Sequence, residues 1–266
     1  MQLKYIVIIL SLFISFSAHA QKSKWELGGG IGTLDFRLYP GSKQSNYYIV
    51  PLPYMTYSNK YVQIDRGIRG ILTSSERWKL DISADFGLPV NSSNSDVRQG
   101  MENLDPVIQF GPSLEYTFTG DYKSKDEVRL EVPLRSAIIA NSDNVHNVGW
   151  LIEPRLVYEQ RRIGKSGLFY KLRTGLRYAS KDQHAYYYDV DQTFVTPDRE
   201  LFQSDEGYSG FLLDLRATWR EDNMLFWGIA RYQSLSGAAF EDSPLVEDEN
   251  YFLIGMGVTW IFMSSD

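Results

Sequence analysis

Apolar and polar residues alternate along much of this 266-residue chain. From Phe211 to Trp219 every second residue is apolar or aromatic, and Asp214 and Arg216 lie at the positions between. A period of two places successive side chains on opposite faces of an extended strand, so this segment predicts a strand with one apolar and one charged face. The same pattern recurs in 78–86, 128–135 and 168–178. The chain therefore predicts a large β-sheet whose two faces meet different environments.

The length of the alternating segments favours an all-β, transmembrane, antiparallel β-barrel of about 12 strands, within a range of about 10 to 14. The predicted strands cover residues 25–38, 47–57, 61–72, 77–87, 105–118, 126–139, 148–160, 167–179, 184–190, 208–220, 223–235 and 250–262. Most exceed the roughly 5–6 residues of a globular strand and reach the roughly 9–11 that a tilted strand needs to cross a bilayer. A soluble barrel or sandwich, with its apolar face inward, is the alternative.

The first 20 residues have the features of a cleavable signal peptide. Lys4 is followed by an apolar run over 5–16, and Ala18-His19-Ala20 fits a signal-peptidase site. An uncleaved anchor is the alternative, but the run is shorter than the roughly 20 residues of a spanning helix. We therefore predict export by the Sec pathway. Residues 21–266 are expected to form a single barrel domain, because no linker or shift in composition divides them.

Composition narrows the class of partner. The formal charge of −6 becomes −7 when the predicted signal peptide removes Lys4 and no acid. Such an acidic chain has no electrostatic basis for binding nucleic acid. Cysteine is absent, so disulfides are excluded. The aromatic residues at the predicted strand ends suit the interfacial girdles of a membrane barrel. They are Trp25, Tyr57, Trp78, Trp150, Tyr178, Trp219, Tyr251 and Trp260.

Charged residues on the face opposite the apolar one are candidates for lining the lumen. They are Lys79, Asp81, Asp85, Arg129, Glu131, Arg135, Glu153, Arg155, Glu159, Lys171, Arg173, Arg177, Asp214, Arg216 and Arg220. Both signs are interspersed across neighbouring strands, so the first hypothesis is that cross-strand ion pairs fill and stiffen the barrel. The alternative is a water-filled passage whose arginines select small anionic solutes. In the last strand, Gly255 and Gly257 are expected to face inward and to leave room in the lumen.

The C-terminal third carries a recognisable motif. Residues 232–246 include Leu235 and Gly237, followed by the loop Asp242, Ser243 and Pro244, and a glycine-rich strand over 255–262 follows. This block resembles the closing block of the MipA/OmpV family, the MltA-interacting outer-membrane proteins. The segments 25–32, 51–54 and 186–190 also resemble family segments. The sequence departs from the family pattern by a slightly longer loop before Ser243-Pro244 and by Asp189 where glycine is usual.

The resemblance implies a monomeric barrel in the outer membrane of Gram-negative bacteria, in contact with outer-membrane lipid and lipopolysaccharide. Some family members are described as scaffolds that join a murein lytic transglycosylase to a murein synthase. Others are described as porin-like, adhesive or stress-responsive. The expected function is a scaffold or surface-interaction protein of the cell envelope, with periplasmic murein-processing enzymes as partners. A narrow porin-like channel for small anionic solutes is the alternative.

The order of strands also predicts the side on which each loop lies. With a periplasmic N-terminus, the tight turns near Ser58 and Asp222 are periplasmic, and segments 191–207 and 236–249 lie outside. Segment 88–104 then lies on the periplasmic side, where loops are usually short. Either a strand is miscounted before it, or the segment is a docking element for a murein enzyme.

We predict no catalytic, cofactor or metal site. A nucleophile needs a base that a third group orients, and beyond the predicted signal peptide the only imidazoles are His146 and His184. We interpret both as solvated or interfacial. Without cysteine or ligand spacing between the histidines, a metal site is not predicted. The acidic residues of 241–249 suit bridging to lipopolysaccharide through divalent ions.

Overall fold

The structure is a computed structural model that describes residues 24–58, 62–64, 68–75, 77–120, 125–140, 145–160 and 167–265. The predicted signal peptide, residues 1–20, lies outside the described residues. One α-helix, α1, covers Lys181–Tyr188. No helix in the described part of the chain is long and apolar enough to cross a membrane. The strands are β1 Lys24–Arg37, β2 Ser45–Ser58, β3 Val62–Ile64, β4 Ile68–Ser74, β5 Trp78–Gly87, β6 Val107–Thr119, β7 Asp126–Ala140, β8 Val145–Ile152, β9 Arg155–Gln160, β10 Gly167–Ala179, β11 Gly207–Glu221, β12 Met224–Ser234 and β13 Asn250–Ser264.

The strands form one antiparallel sheet that closes on itself. They pair in chain order, and β13 pairs back with β1 from Glu26↔Ser264 to Phe36↔Leu253. Strands β8 and β9 share one position, because both pair with β7 on one side and with β10 on the other. The break between them falls at Glu153 and Pro154, and proline cannot donate to a β-ladder. The described strands thus occupy twelve positions around a barrel, which confirms the predicted fold class.

Apolar side chains cover the outside of this barrel. Along β13, Ile254, Met256 and Trp260 point outward, and Met256 is 63% exposed. Most of the charged side chains that alternate with the apolar ones on the other strands face inward and are buried, as shown by Asp81 on β5. The soluble alternative, with the apolar face inward, is wrong. This distribution is that of a transmembrane barrel, whose lipid-facing and lumen-facing residues alternate.

Two predicted strands differ from the structure. The predicted strand 61–72 is two short strands, β3 and β4, which pair with each other in antiparallel orientation. The predicted strand 184–190 is mostly helix α1. Its tyrosines have high β-propensity, but Ser180 caps the helix by accepting a hydrogen bond from the backbone N–H of Gln183 at 3.3 Å. One strand is gained and one is lost, so the count of twelve survives.

The extra strand moves segment 88–104 to the other end of the barrel. We call the end with the tight turns and both termini of the barrel the turn end, and the other the loop end. The segment lies at the loop end, where Arg98 donates to the backbone carbonyl of Tyr187 at 2.9 Å and Arg199 to that of Val97 at 2.7 Å. The segment therefore does not share an end with the tight turns, and of the two explanations given above, the miscounted strand is the correct one.

Part of the inner wall is apolar. Gly32 on β1 faces Gly257 on β13, and the indole of Trp227 on β12 lies against both. A Cβ atom added to either glycine would come within 2.5 Å of that ring. The expected room in the lumen beside the β13 glycines is therefore filled by an aromatic side chain. The aromatic girdle prediction also fails at one position, because Tyr251 is buried and faces inward.

Four segments of the loop end pack into a cap. They are residues 38–44, 88–106, 180–206 and 235–249. Each contributes to one hydrophobic cluster, which contains Leu38, Tyr39, Val90, Leu104, Tyr188, Leu235, Ala238 and Phe240. Since segments far apart in the chain share this core, the cap is a packed layer over the barrel mouth.

Candidate functional site

The predicted lumen residues lie on the inward faces of β5 to β11 and at the β8–β9 break. Most of them are buried, while Lys79, Arg177, Arg216 and Arg220 are half-buried and Asp85 is exposed to the interior cavity. The structure brings them together in three clusters, which we name by their central residues Arg129, Asp214 and Glu153.

In the Arg129 cluster, one guanidinium contacts four carboxylates. Arg129 is 1% exposed and donates to Glu131 at 2.9 Å and to Glu159 at 3.1 Å. It also donates to Glu127 at 3.1 Å and lies 3.5 Å from Glu115. Buried charges of this kind are tolerated only when they are paired and hydrogen-bonded. Four further charged residues extend the cluster, namely Lys79, Asp81, Arg155 and Lys171.

The Asp214 cluster reverses the charge pattern. Asp214 is 0% exposed and accepts hydrogen bonds from Arg173 at 2.9 Å, from Arg216 at 3.2 Å and from Arg231 at 3.1 Å. Three cations thus surround one anion on adjacent strands β10, β11 and β12. Removal of the carboxylate would leave the arginines without a counter-charge.

The Glu153 cluster lies nearer the cap. Arg135 donates to Glu153 at 2.7 Å, and Nε of Arg177 lies 3.3 Å from the other carboxylate oxygen of Glu153. Arg135 is 3.8 Å from Asp85. At the turn end, Arg220 on β11 donates to Glu26 on β1 at 2.8 Å, across the two intervening strands. Glu153 lies at the break between β8 and β9, and this break positions its carboxylate between Arg135 and Arg177.

The burial of these side chains favours the ion-pair hypothesis over the passage hypothesis. Side chains that line an aqueous pore are wetted, whereas Arg129 and Asp214 are almost fully removed from solvent. The lumen around them is packed with protein atoms.

Four charged residues of these contacts were missed by sequence reasoning. Arg231 shares its row on β12 with Leu225 and Trp227, and this row faces inward although it is apolar. The alternation assigns an apolar row to the lipid side, so it gave no signal for Arg231. The others are Glu26, Glu115 and Glu127.

The family-motif loop anchors the cap. The hydroxyl of Ser243 donates to the backbone carbonyl of Tyr188 at 2.6 Å. The hydroxyl of Tyr39 donates to the carbonyl of Leu245 at 2.8 Å. Pro244 is half-buried, and Asp242 is exposed. The motif therefore ties the last loop to α1 and to the first loop.

His184 is buried, at 2% exposed, so its interpretation as a solvated or interfacial residue is wrong. Its Nδ1 lies 2.6 Å from the carbonyl of Asp205, and its Nε2 lies 2.6 Å from the hydroxyl of Ser209. A neutral ring satisfies both contacts, with Nδ1 as donor and Nε2 as acceptor. Burial lowers the pKa of the His184 imidazole. His146, in contrast, is exposed on β8.

A second buried polar residue, Arg98, connects segment 88–106 of the cap to helix α1 and to the first loop. It donates to the carbonyl of Tyr187 and lies with its guanidinium 5.7 Å from the ring centre of Tyr39. Burial lowers the pKa of Arg98 and raises the pKa of Tyr39 to about 12, so the phenol remains protonated at neutral pH. The sequence carries no pattern that marks this pair.

Two acidic side chains of the last loop accept hydrogen bonds from other parts of the protein. Arg37 donates to Asp248 at 2.9 Å, and the backbone N–H of Lys43 donates to Glu247 at 3.3 Å. A hydrogen bond from the backbone of Asn250 lowers the pKa of Asp248. Among the described residues, no group of three or more histidine, aspartate or glutamate side chains is arranged to hold a metal ion.

A cavity of about 260 Å³ lies between the cap and the charged clusters. Residues from the barrel wall, such as Arg177, Arg231 and Tyr251, line it together with Gln183 and His184 from α1.

A search of curated proteins finds no match. A family model described as MltA-interacting protein MipA matches residues 27–262, from the first strand of the barrel to the last. This match covers most of the chain, and the protein therefore belongs to the MltA-interacting protein MipA family.

Proposed function

We propose that the protein is a non-enzymatic scaffold of the outer membrane that holds a murein-processing enzyme at its periplasmic face. Membership of a family named for interaction with MltA supports a partner of the murein lytic transglycosylase type. The observation that favours a scaffold over a channel is the burial of the charged side chains in the lumen. A barrel filled by ion pairs is a rigid support, and it offers no wide aqueous route.

The proposal places the turn end in the periplasm and the cap outside. Outer-membrane barrels have short periplasmic turns and longer external loops, and the four cap segments are the long ones here. The signal peptide would be removed on export by the Sec pathway, and the monomeric barrel would insert with its apolar band in lipid. The acidic cap would face lipopolysaccharide.

A matched pair of charge reversals tests which end docks the enzyme. Lys125 at the turn end and Lys181 at the cap are both exposed. Binding of a purified MltA-type transglycosylase to the barrel in nanodiscs is measured by biolayer interferometry. We expect Lys125→Glu to weaken binding severalfold and Lys181→Glu to leave it unchanged. Binding that depends on Lys181 alone, or no binding to the unaltered protein, contradicts the proposal.

The narrow anion channel is the second candidate, and the arginines of the lumen wall are the observation in its favour. Planar-bilayer recordings decide between the two functions. The scaffold predicts a silent bilayer. Discrete conductance steps that disappear in Arg216→Met, a half-buried member of the Asp214 cluster, would establish the channel instead.

A further inference from the structure

The cavity beneath the cap has two chemically different walls. Its apolar side is formed by barrel residues that include Phe36, Leu253 and Tyr251. Its polar side contains Arg177 from β10 and Gln183 from α1. A site with an apolar body and a few converging polar groups has the composition of a small-molecule pocket.

Two atoms of the polar side lack hydrogen-bond partners. Oε1 of Gln183 and Nε of Arg177 are both buried, and neither makes a hydrogen bond within the described part of the protein. The Arg177 guanidinium does donate through Nη1 to Gln233 at 3.0 Å, and its Nε lies near Glu153 without hydrogen-bond geometry. Gln183 is 7% exposed. Buried polar atoms are nearly always satisfied in folded proteins, so an acceptor and a donor left over in one cavity point to a bound group that satisfies both.

The walls also define the chemistry of that group. A carboxylate is the natural acceptor for a guanidinium, because the bond is charge-assisted. A hydroxyl on the same molecule supplies the donor that Gln183 lacks. The volume of about 260 Å³ is below the roughly 300–1,000 Å³ of pockets for drug-sized ligands, so the body between these two groups is a single ring. The rings of Phe36 and Tyr251 favour a flat, apolar one.

We propose that this cavity binds a small hydroxylated aromatic carboxylate. The carboxylate pairs with Arg177, the ring packs against the apolar wall, and the hydroxyl donates to Gln183. The site is independent of the proposed scaffold role, because it lies beneath the cap and faces away from the turn end.

The test uses the full barrel in detergent and isothermal titration calorimetry with three probes. They are 4-hydroxybenzoate, benzoate without the hydroxyl, and 4-hydroxybenzyl alcohol without the carboxylate. We expect 4-hydroxybenzoate to bind, benzoate to bind about tenfold more weakly, and the alcohol to bind more weakly still, since hydrogen bonds to charged groups are the stronger ones.

Two glutamine variants make the test specific. Gln183→Met removes the acceptor with little change in volume, so 4-hydroxybenzoate and benzoate should bind it equally. Gln192→Met changes an exposed glutamine and should bind all three probes as the unaltered protein does. Absence of binding, equal binding of the alcohol and the acid, or an unchanged preference in Gln183→Met overturns the proposal. So does a crystal soaked in 4-hydroxybenzoate whose cavity contains water alone.

Discussion

The ring of Phe240 lies parallel to the ring of Tyr188, with 3.7 Å between their centres and 6° between their planes. The hydroxyl of Tyr188 donates to the carbonyl of Pro40 at 2.8 Å, and the His184 ring makes an edge contact with Phe240 at 4.7 Å between ring centres. The last loop, helix α1 and the first loop thus meet at one stacked pair.

Phe240→Ala should loosen the cap and leave the barrel intact. Phe240 is buried in the cap cluster, so its truncation is expected to lower the free energy of cap opening by about 3 kcal/mol. Hydrogen exchange read by mass spectrometry should show faster exchange in 180–206 and 235–249. Phe262→Ala is the matched control on the lipid-facing side of β13. Faster exchange throughout the barrel strands in Phe240→Ala would argue against a separable cap.

Asp214→Asn should strongly destabilise the barrel. Three buried or half-buried arginines lose their common counter-charge, and breaking a buried ion pair typically costs about 3–5 kcal/mol. Guanidinium-induced unfolding in lipid vesicles, followed by tryptophan fluorescence, measures the change. Asp222→Asn, in the exposed turn between β11 and β12, should change stability by less than about 0.5 kcal/mol. Equal stability of the two variants would show that the cluster is not a stabilising element.

Gly32→Ala should be destabilising because of Trp227. The added methyl group would lie 2.5 Å from the indole and 2.9 Å from a methyl carbon of Leu52, and overpacking of this kind typically costs about 1–3 kcal/mol. Trp227→Phe in the same chain should restore part of the loss by shortening the ring. At the neighbouring Gly29, a methyl group would make only an ordinary contact of 3.8 Å with Phe262, so Gly29→Ala is the control. The measurement is the same unfolding transition, and a double variant no more stable than Gly32→Ala would refute the explanation.

The cap should weaken at acidic pH through His184. Burial lowers its pKa in the folded cap, so the opened state binds the proton more tightly. The stability that the neutral ring contributes is complete above about pH 6.5, the ordinary pKa of histidine, and is lost as the pH falls from there through the lowered folded value. Limited proteolysis at pH 7.5 and pH 5 should show faster cleavage of the cap at the lower pH.

Substitutions of the two histidines separate this effect from general acid sensitivity. His184→Gln should remove most of the difference between the two pH values. His146→Gln, at an exposed position, should retain it in full. The same pH dependence in His184→Gln would assign the effect to carboxylates elsewhere in the protein.

The sequence by itself determined which face of most strands meets lipid and which meets the lumen, while the inward positions of Trp227 and Tyr251 emerged only from the structure. A period of two is a property of the extended backbone, so the outward positions of Met256 and Trp260 and the inward position of Asp214 followed without knowledge of neighbouring strands. Strand length gave the membrane-spanning barrel for the same local reason. The block formed by residues 232–246 and 255–262 indicated the family to which the chain belongs.

Only the tertiary structure determined which side chains contact one another. Nothing local to Arg129 predicts its contact with Glu159, because register between strands sets that distance. Helix α1 was mistaken for a strand because its cap and its packing outweigh the β-propensity of its tyrosines. A separate error, the reading of β3 and β4 as one strand, placed segment 88–104 at the wrong end. The cap core and the cavity beneath it join segments up to about 200 residues apart, as in the contact of Tyr39 with Leu245, and no periodicity along the chain records such contacts.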